Sequence, residues 1–351
     1  CVDLSIGTPC DAPPQAVLDA LAGSGAERGY PPSIGTKAFR DSAADWLQRR
    51  FGATVDSEAQ VAACIGTKEF VASTPRYLKL RSPDRDTVLY PAVSYPSYAM
   101  GAELAGCRAV PVPVDSQWRI RVDAITPEDA ERALCLWVNS PGNPAGGVDD
   151  LAVVARWGRD HDVPVFSDEC YIEFTWADLD GNREGHPGRT ILETGTDGVV
   201  AVHSLSKRSN LAGVRAGFFA GDDELVHWLR EVRKHAGNMT PGPVQAAAVV
   251  ALGDDAHVDR QREVYAGRLE FMAEALRRAG LDAHLPHGAF YLWVAAADGD
   301  AWHTAERLAN EGGVLVSPGE FYGDAGARHV RLAMVQPEDR LKLVADRLGV
   351  L

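Results

Sequence analysis

Val199-Val200-Ala201-Val202-His203-Ser204-Leu205-Ser206-Lys207 passes within nine residues from a β-branched apolar run to two serines and a lysine. An apolar run that short, closed by polar residues, reads as a buried strand delivering side chains from its carboxyl end. The pattern recurs upstream: Val163 to Phe166 leads into Ser167-Asp168, and Leu134 to Val138 leads into Asn139-Ser140-Pro141-Gly142-Asn143. Working outward, strands are predicted at 60–65, 86–90, 108–114, 133–139, 163–167, 198–203 and 214–220. Helix-length amphipathic stretches lie between them, such as 150–161, where Leu151, Val154, Ala155 and Gly158 share one face. Strands alternating with helices predict an α/β fold with a mostly parallel, helix-covered sheet. Such sheets bind ligands beyond the carboxyl ends of their strands, which is where the polar residues gather.

This alternation defines a predicted large domain at 31–252. Residues 1–30 are rich in Pro and Gly, with one helix candidate at 13–22. Residues 253–351 carry a long amphipathic helix (256–279) and alternating stretches near 281–294 and 328–334, an α+β pattern. A smaller domain built from both chain ends, 1–30 and 253–351, is therefore expected. With 351 residues and 46% hydrophobic content the chain can bury a sizeable core without disulfides. Its 35 basic against 49 acidic residues give a net charge of −14, which repels phosphate backbones and anionic membrane faces. Neither nucleic acid nor membrane is an expected partner, and no apolar run approaches the roughly 20 residues of a membrane span. The cysteines at 1, 10, 64, 107, 135 and 170 never form a CxxC pair, so they read as thiols of a reducing, cytoplasmic compartment. His284 and His287 flank Pro286 in a predicted turn, and no metal site is expected.

Ser204-Leu205-Ser206-Lys207 has the S-x-x-K spacing of penicillin-binding acyl-transfer enzymes. That chemistry needs S-D-N and K-T-G partners; the chain has Ser-Asp-Glu at 167–169, no K-T-G and no G-x-S-x-G. A lone lysine is usually solvated, and a strand-end aspartate is usually a turn former or helix cap. A carboxylate beside a strand-end lysine is more specific, because the pair suits a cationic heteroaromatic ring. Pyridoxal phosphate needs a lysine for its aldehyde, an acid to keep its pyridine nitrogen protonated, and donors for its phosphate. Gly66-Thr67-Lys68 can supply such donors as backbone N–H groups at a helix start. Gly-Thr-Lys also occurs at 35–37, so the order of the elements carries the reading rather than any one of them.

Further stretches fall into the same order: Leu4-Ser5-Ile6-Gly7-Thr8-Pro9, Tyr30-Pro31 with Gly35 and Phe39-Arg40, and Tyr95-Pro96-Ser97-Tyr98. Asn139 to Pro144, Ser167-Asp168-Glu169-Cys170-Tyr171, Arg215 and Arg331-Leu332 continue it. In these stretches the chain resembles the fold-type I, class I/II aminotransferases over nearly its whole length. The resemblance implies that Lys207 holds the cofactor aldehyde and shuttles the proton, while Asp168 pairs with the pyridinium nitrogen. It implies that Asn143 and Tyr171 bond the ring's phenolic oxygen and that Tyr95 stacks on the ring. Gly66, Thr67, Lys68 (through backbone N–H groups), Ser204 and Arg215 would bind the phosphate, and Tyr30 would reach the phosphate of the neighbouring subunit in a homodimer. Arg331 would grip the substrate α-carboxylate as a bidentate fork, with Gly7 close by. Ala145 departs from the family's usual Thr, and the connection from Ala145 to Asp150 is short.

The implied reaction is ping-pong transfer of an amino group between an amino acid and a 2-oxo acid. Residues 206–213 and 316–323 look like the bacterial N-succinyldiaminopimelate aminotransferases, which implies a place in lysine biosynthesis with glutamate and 2-oxoglutarate as the other pair. Another acceptor (aspartate, alanine or aromatic), a C–S lyase, or a regulator domain binding the same cofactor are the alternatives. The succinylated substrate carries distal anions, and Arg233-Lys234-His235 is the basic cluster expected to meet them; a plain basic helix end is the competing reading.

Overall fold

The computed structural model describes residues 1–26, 28–183 and 188–351. In chain order the strands are β1 (Val2–Asp3), β2 (Val61–Cys64), β3 (Thr87–Pro91), β4 (Arg108–Val112), β5 (Ala133–Asn139) and β6 (Val165–Asp168). They continue with β7 (Val199–Ser204), β8 (Gly217–Gly221), β9 (Tyr291–Ala295), β10 (Val314–Leu315), β11 (Ser317–Pro318) and β12 (His329–Ala333). Seven of them form one sheet in the order β2-β8-β7-β6-β5-β3-β4. The seven strands expected between 60 and 220 are all in it, and β3 to β7 run parallel.

The exception is β8, which lies antiparallel to both β7 and β2. The link from β7 holds only the four-residue helix Leu205–Arg208 and a 3₁₀ turn, Ala212–Val214, not a helix long enough to cross the sheet. Arg215 then takes a left-handed φ of 60°, so the strand expected from 214 begins at Gly217.

All seven residues of β5 are buried, as a strand covered on both faces requires. Leu136 and Val138 enter a core with Phe39, Trp46 and Val154, while Cys135 and Trp137 enter the opposite one with Phe70, Phe166 and Phe219. The stripe predicted for 150–161 is the buried face of helix Leu151–Asp160, whose first N–H groups bond to the Asp150 side chain.

The chain ends meet in a second group of strands. β1 pairs with β10, and β11, β12 and β9 form an antiparallel three-stranded sheet. Val2 and Leu4 share a core with Met272, Leu292 and Leu332. Helix Gln15–Gly23, grouped with the chain ends by sequence, packs instead on helix Gly242–Gly253, and Val17 joins Phe39 and Ala247 in the large core. Among the described residues no helix is long and apolar enough to cross a membrane and no cluster could hold a metal. All six thiols are free, and His284 pairs with Asp282 at the surface.

Candidate active site

Parallel register sets the frame of the site. Asn139 of β5 lies opposite Asp168 of β6, and Asp168 opposite Val202 of β7, so three strands end together. Beyond them opens a cavity of about 620 Å³ lined by Gly7, Thr67, Lys68, Tyr95, Asn143, Asp168, Tyr171, Ser204, Lys207, Arg215 and Arg331. Arg331 comes from β12 and Gly7 from the amino-terminal segment, so the site joins both sheets.

At one end the first turn of helix Thr67–Arg81 meets Arg215. A Cβ on Gly66, whose φ is 74°, would stand 2.2 Å from Arg215 Nη2, so only glycine permits this approach. Free N–H groups of a helix start beside a guanidinium make an anion cradle. Ser204 closes it from the other side as the cap of Leu205–Arg208, its Oγ accepting from the Ser206 amide at 3.1 Å. The Arg215 guanidinium is steadied by the Ala212 carbonyl at 2.8 Å.

Asp168 is buried at the floor. Tyr98 Oη donates to its Oδ2 at 2.9 Å and the Cys170 amide donates to Oδ1 at 3.2 Å. Burial pushes its carboxyl upward, against the hydrogen bonds and the Lys207 charge that draw it down. Its carbonyl accepts from Asn139 Nδ2 at 2.8 Å, and Asn139 Oδ1 holds the Asn143 amide at 2.8 Å. The floor and the Asn143 turn are thus one network.

Lys207 Nζ donates to the Gly7 carbonyl and sits 5.6 Å from the Phe290 ring centroid. Burial, aided by the charges of Arg331, Arg215 and Lys68, brings its ammonium down to about 8, so much of the amine is neutral in mildly alkaline solution. Arg331 is buried between Tyr291, with its ring centroid at 4.5 Å, and Tyr322, at 4.8 Å. Its Nη1 donates to Asn143 Oδ1 at 2.9 Å and its Nη2 to the Ser5 carbonyl, both neutral acceptors, and its Nε has no partner among the described residues. Beside it Tyr171 and Tyr291 share a hydroxyl–hydroxyl bond of 2.7 Å. Lys68 Nζ lies 5.1 Å from the Tyr95 ring centroid.

These groups fit pyridoxal phosphate end to end. The cradle at Gly66 and Arg215 suits a dianion, Asp168 a protonated ring nitrogen, Lys207 an aldehyde, and the fork of Arg331 a carboxylate.

Two residues singled out from the sequence lie outside this cavity, one of them, Tyr30, as its expected reach to a neighbouring subunit allows. Tyr30 is 94% exposed and does not line the cavity of its own chain. Arg233 is 2% exposed and its two terminal nitrogens bind both Glu69 oxygens at 2.8 Å, over the rings of Phe70 and Phe219. The distal-anion role expected for Arg233-Lys234-His235 is therefore corrected: helix Asp223–His235 buries Leu225, Leu229 and Arg233, and Lys234 stays outside, 3.7 Å from Glu231. That spacing of four was the signal, since it places Arg233 on the buried stripe.

Tyr98, Tyr291 and Tyr322 were not assigned from sequence. Tyr98 follows Tyr95 at helical spacing, whereas Tyr291 and Tyr322 carry no local mark.

Comparison with known proteins agrees with this geometry. The family description "Aminotransferase class I and II" matches residues 1–348. The 4-dedimethylamino-4-oxo-anhydrotetracycline transaminase OxyQ of Streptomyces rimosus is 42% identical over 350 residues, covering 99% of this chain and 92% of its own. The LL-diaminopimelate aminotransferase of Aquifex aeolicus is 32% identical over 359 residues, covering 99% and 90%. The crystal structure of an aminotransferase from Neisseria meningitidis superposes with a TM-score of 0.91 at 28% identity, over 99% of this chain and 92% of that one.

Proposed function

This chain belongs to the class I and II aminotransferase family, and from that premise we propose that its cavity moves an amino group between an α-amino acid and a 2-oxo acid. The observation that carries the reading is the meeting of Lys207, Asp168 and Arg331 in one cavity, brought from two neighbouring strand ends and from the smaller sheet. The family's cofactor is pyridoxal 5'-phosphate, which when bound supplies an aldehyde for amino groups and a ring that takes up an electron pair from the α-carbon.

The chain's own groups do the rest. Lys207 Nζ holds the aldehyde and, once free, moves the proton at the substrate α-carbon. Asp168, oriented by Tyr98, keeps the ring nitrogen protonated. Asn143 spends its Oδ1 on Arg331, which leaves Nδ2 to join Tyr171 at the phenolic oxygen. Tyr95 covers the ring, and Gly66, Thr67, Lys68, Ser204 and Arg215 take the phosphate. Tyr30, turned outward, reaches the partner's phosphate end in a cytoplasmic homodimer. Arg331 reads the α-carboxylate, with Gly7 closing the site over it.

With Lys207, Arg215 and Arg331 occupied, and Lys68 meeting the phosphate only through its backbone N–H, the Lys68 ammonium is the remaining cation among the described residues that line the cavity. One distal carboxylate, as in glutamate or diaminopimelate, matches that count. N-succinyl-LL-2,6-diaminopimelate stays the more specific candidate by likeness of 206–213 and 316–323, but Arg233 no longer supports it. A donor screen with holoenzyme tests the reading. Glutamate and LL-diaminopimelate should each bleach the visible cofactor band in a half-reaction, and the succinylated donor should be slower. Bleaching by no amino acid, or a borohydride-fixed adduct on a lysine other than Lys207, would sink it. Preference for the succinylated donor would restore the narrower substrate, and recovery of the band in donor-bleached enzyme by a 4-oxo-anhydrotetracycline-type ketone but not by 2-oxo acids would move the chain toward OxyQ.

A further inference from the structure

Tyr291 touches three parts of the site at once. Its hydroxyl bonds the Tyr171 hydroxyl at 2.7 Å, and its ring carries the Arg331 guanidinium at 4.5 Å. The main chain at Gly7 lies so close above it that a Cβ there would stand 2.2 Å from the Tyr291 hydroxyl. The segment it supports is the one whose Ser5 carbonyl accepts from Arg331 and whose Gly7 carbonyl accepts from Lys207. Tyr291 sits on β9 and Arg331 on β12, which are paired strands, so the support is rigid. Behind it the ring packs on Phe290 and is 1% exposed.

We propose that Tyr291 is a positioning residue that couples the group at the cofactor's phenolic oxygen, Tyr171, to the reader of the substrate carboxylate, Arg331. The inference rests on the roles proposed above for those two residues. When Tyr171 donates to the phenolic oxygen, its own oxygen is left to accept, and Tyr291 is the donor placed to serve it. A hydroxyl chain of this kind strengthens its outer bond by polarisation. The ring acts separately, because its negative face stabilises a guanidinium that has no anion while the substrate is absent. Hydroxyl and ring are thus separable functions of one side chain.

Three holoenzyme variants test this. Tyr291→Phe keeps the ring and its packing but removes the hydroxyl. It should shift the pH titration of the visible cofactor band upward by roughly half a unit, a fraction of one hydrogen bond, with KM for the amino acid within about twofold. Tyr291→Leu removes both features and should raise KM roughly tenfold or more, the scale of a buried cation–ring contact, on top of the same spectral shift. Tyr171→Phe is the control, and should move the band in the same direction and further. If Tyr171→Phe moves the band and Tyr291→Phe does not, the coupling is overturned while the functional reading stands. If Tyr171→Phe leaves the band unmoved as well, the placement of Tyr171 fails and takes the coupling with it. A Tyr291→Phe protein whose KM rises as far as that of Tyr291→Leu would overturn the separation of ring from hydroxyl.

Discussion

Arg331 and Arg233 are near twins in packing and opposites in chemistry. Each is buried, at 4% and 2% exposure, and each guanidinium lies against two aromatic rings: Tyr291 and Tyr322 for one, Phe70 and Phe219 for the other. Arg233 has both terminal nitrogens on Glu69, whereas among the described residues Arg331 meets only an amide and a carbonyl oxygen and leaves Nε without a partner. A buried cation already joined to an internal carboxylate has no call on another anion. One held by dipoles and rings alone is stabilised by whatever carboxylate the cavity admits. The informative property of a buried arginine is thus the partner it lacks.

The largest effect should come from breaking the unpaired member. Arg331→Ala should lower kcat/KM for amino acids by roughly 2 to 5 kcal/mol, that is about 30-fold to several thousand-fold, the range for truncating a buried charge pair. The loss should fall on KM as well as kcat, and steady-state kinetics would show it. Turnover within a few-fold of normal would remove Arg331 from carboxylate recognition.

Breaking the paired member should do something different. Arg233→Met leaves Glu69 without its partner beside an apolar core, and should lower stability in urea by roughly 2 to 4 kcal/mol. The lower half of that range is favoured because the Glu69 side chain is 25% exposed. KM for the folded protein should stay near normal. A large KM effect with unchanged stability would mean that Arg233 does reach substrate.

A third change turns one arginine into the other. Asn143→Asp offers Arg331 an internal anion at the position where the amide now accepts at 2.9 Å. It should raise KM for amino acids roughly 10-fold beyond Asn143→Ser, which also removes the amide proposed to meet the cofactor but brings no charge. Equal KM values for the two variants would show that saturation is not what separates the arginines.

The same contrast explains what could be read in advance. β5, β6 and β7 were legible because a doubly covered strand is a continuous apolar run, and the polar residue that ends it marks the binding edge. Lys207, Asp168 and Asn143 follow directly from that. Arg331 and Gly7 came only through resemblance, since nothing local distinguishes an arginine on a three-stranded sheet from a salt-bridged one. The Arg233 cluster misled because three basic residues in a row look like free charge, although Glu69 lies 164 positions away in sequence. Charge neutralisation is a tertiary property. The antiparallel return of β8 was hidden for a similar reason, because a one-turn helix and a left-handed Arg215 leave no periodic trace.

The smallest predicted effect is electrostatic and separates the arginines in the absence of substrate. Burial is the main cause that brings Lys207 down to about 8, and Arg331, Arg215 and Lys68 add to it. Arg233 is not among those neighbours. Neutralising Arg331 therefore removes one contribution and lets the amine's affinity for a proton rise, although burial keeps it below the ordinary lysine value of about 10.4. Capture of the cofactor aldehyde requires the neutral amine, so the rate at which apoprotein develops the visible band should climb with pH through about 8 and then level off. In Arg331→Met that rise should move upward by several tenths of a unit, less than the full 1.4 kcal/mol of one unit. In Arg233→Met it should not move. Added salt should leave the displacement largely intact, because charges inside the cavity are screened far less than exposed ones. An equal displacement in both variants would trace the effect to a general loosening of the fold, and no displacement in either would remove Arg331 from the causes of the depressed lysine, leaving burial with Arg215 and Lys68.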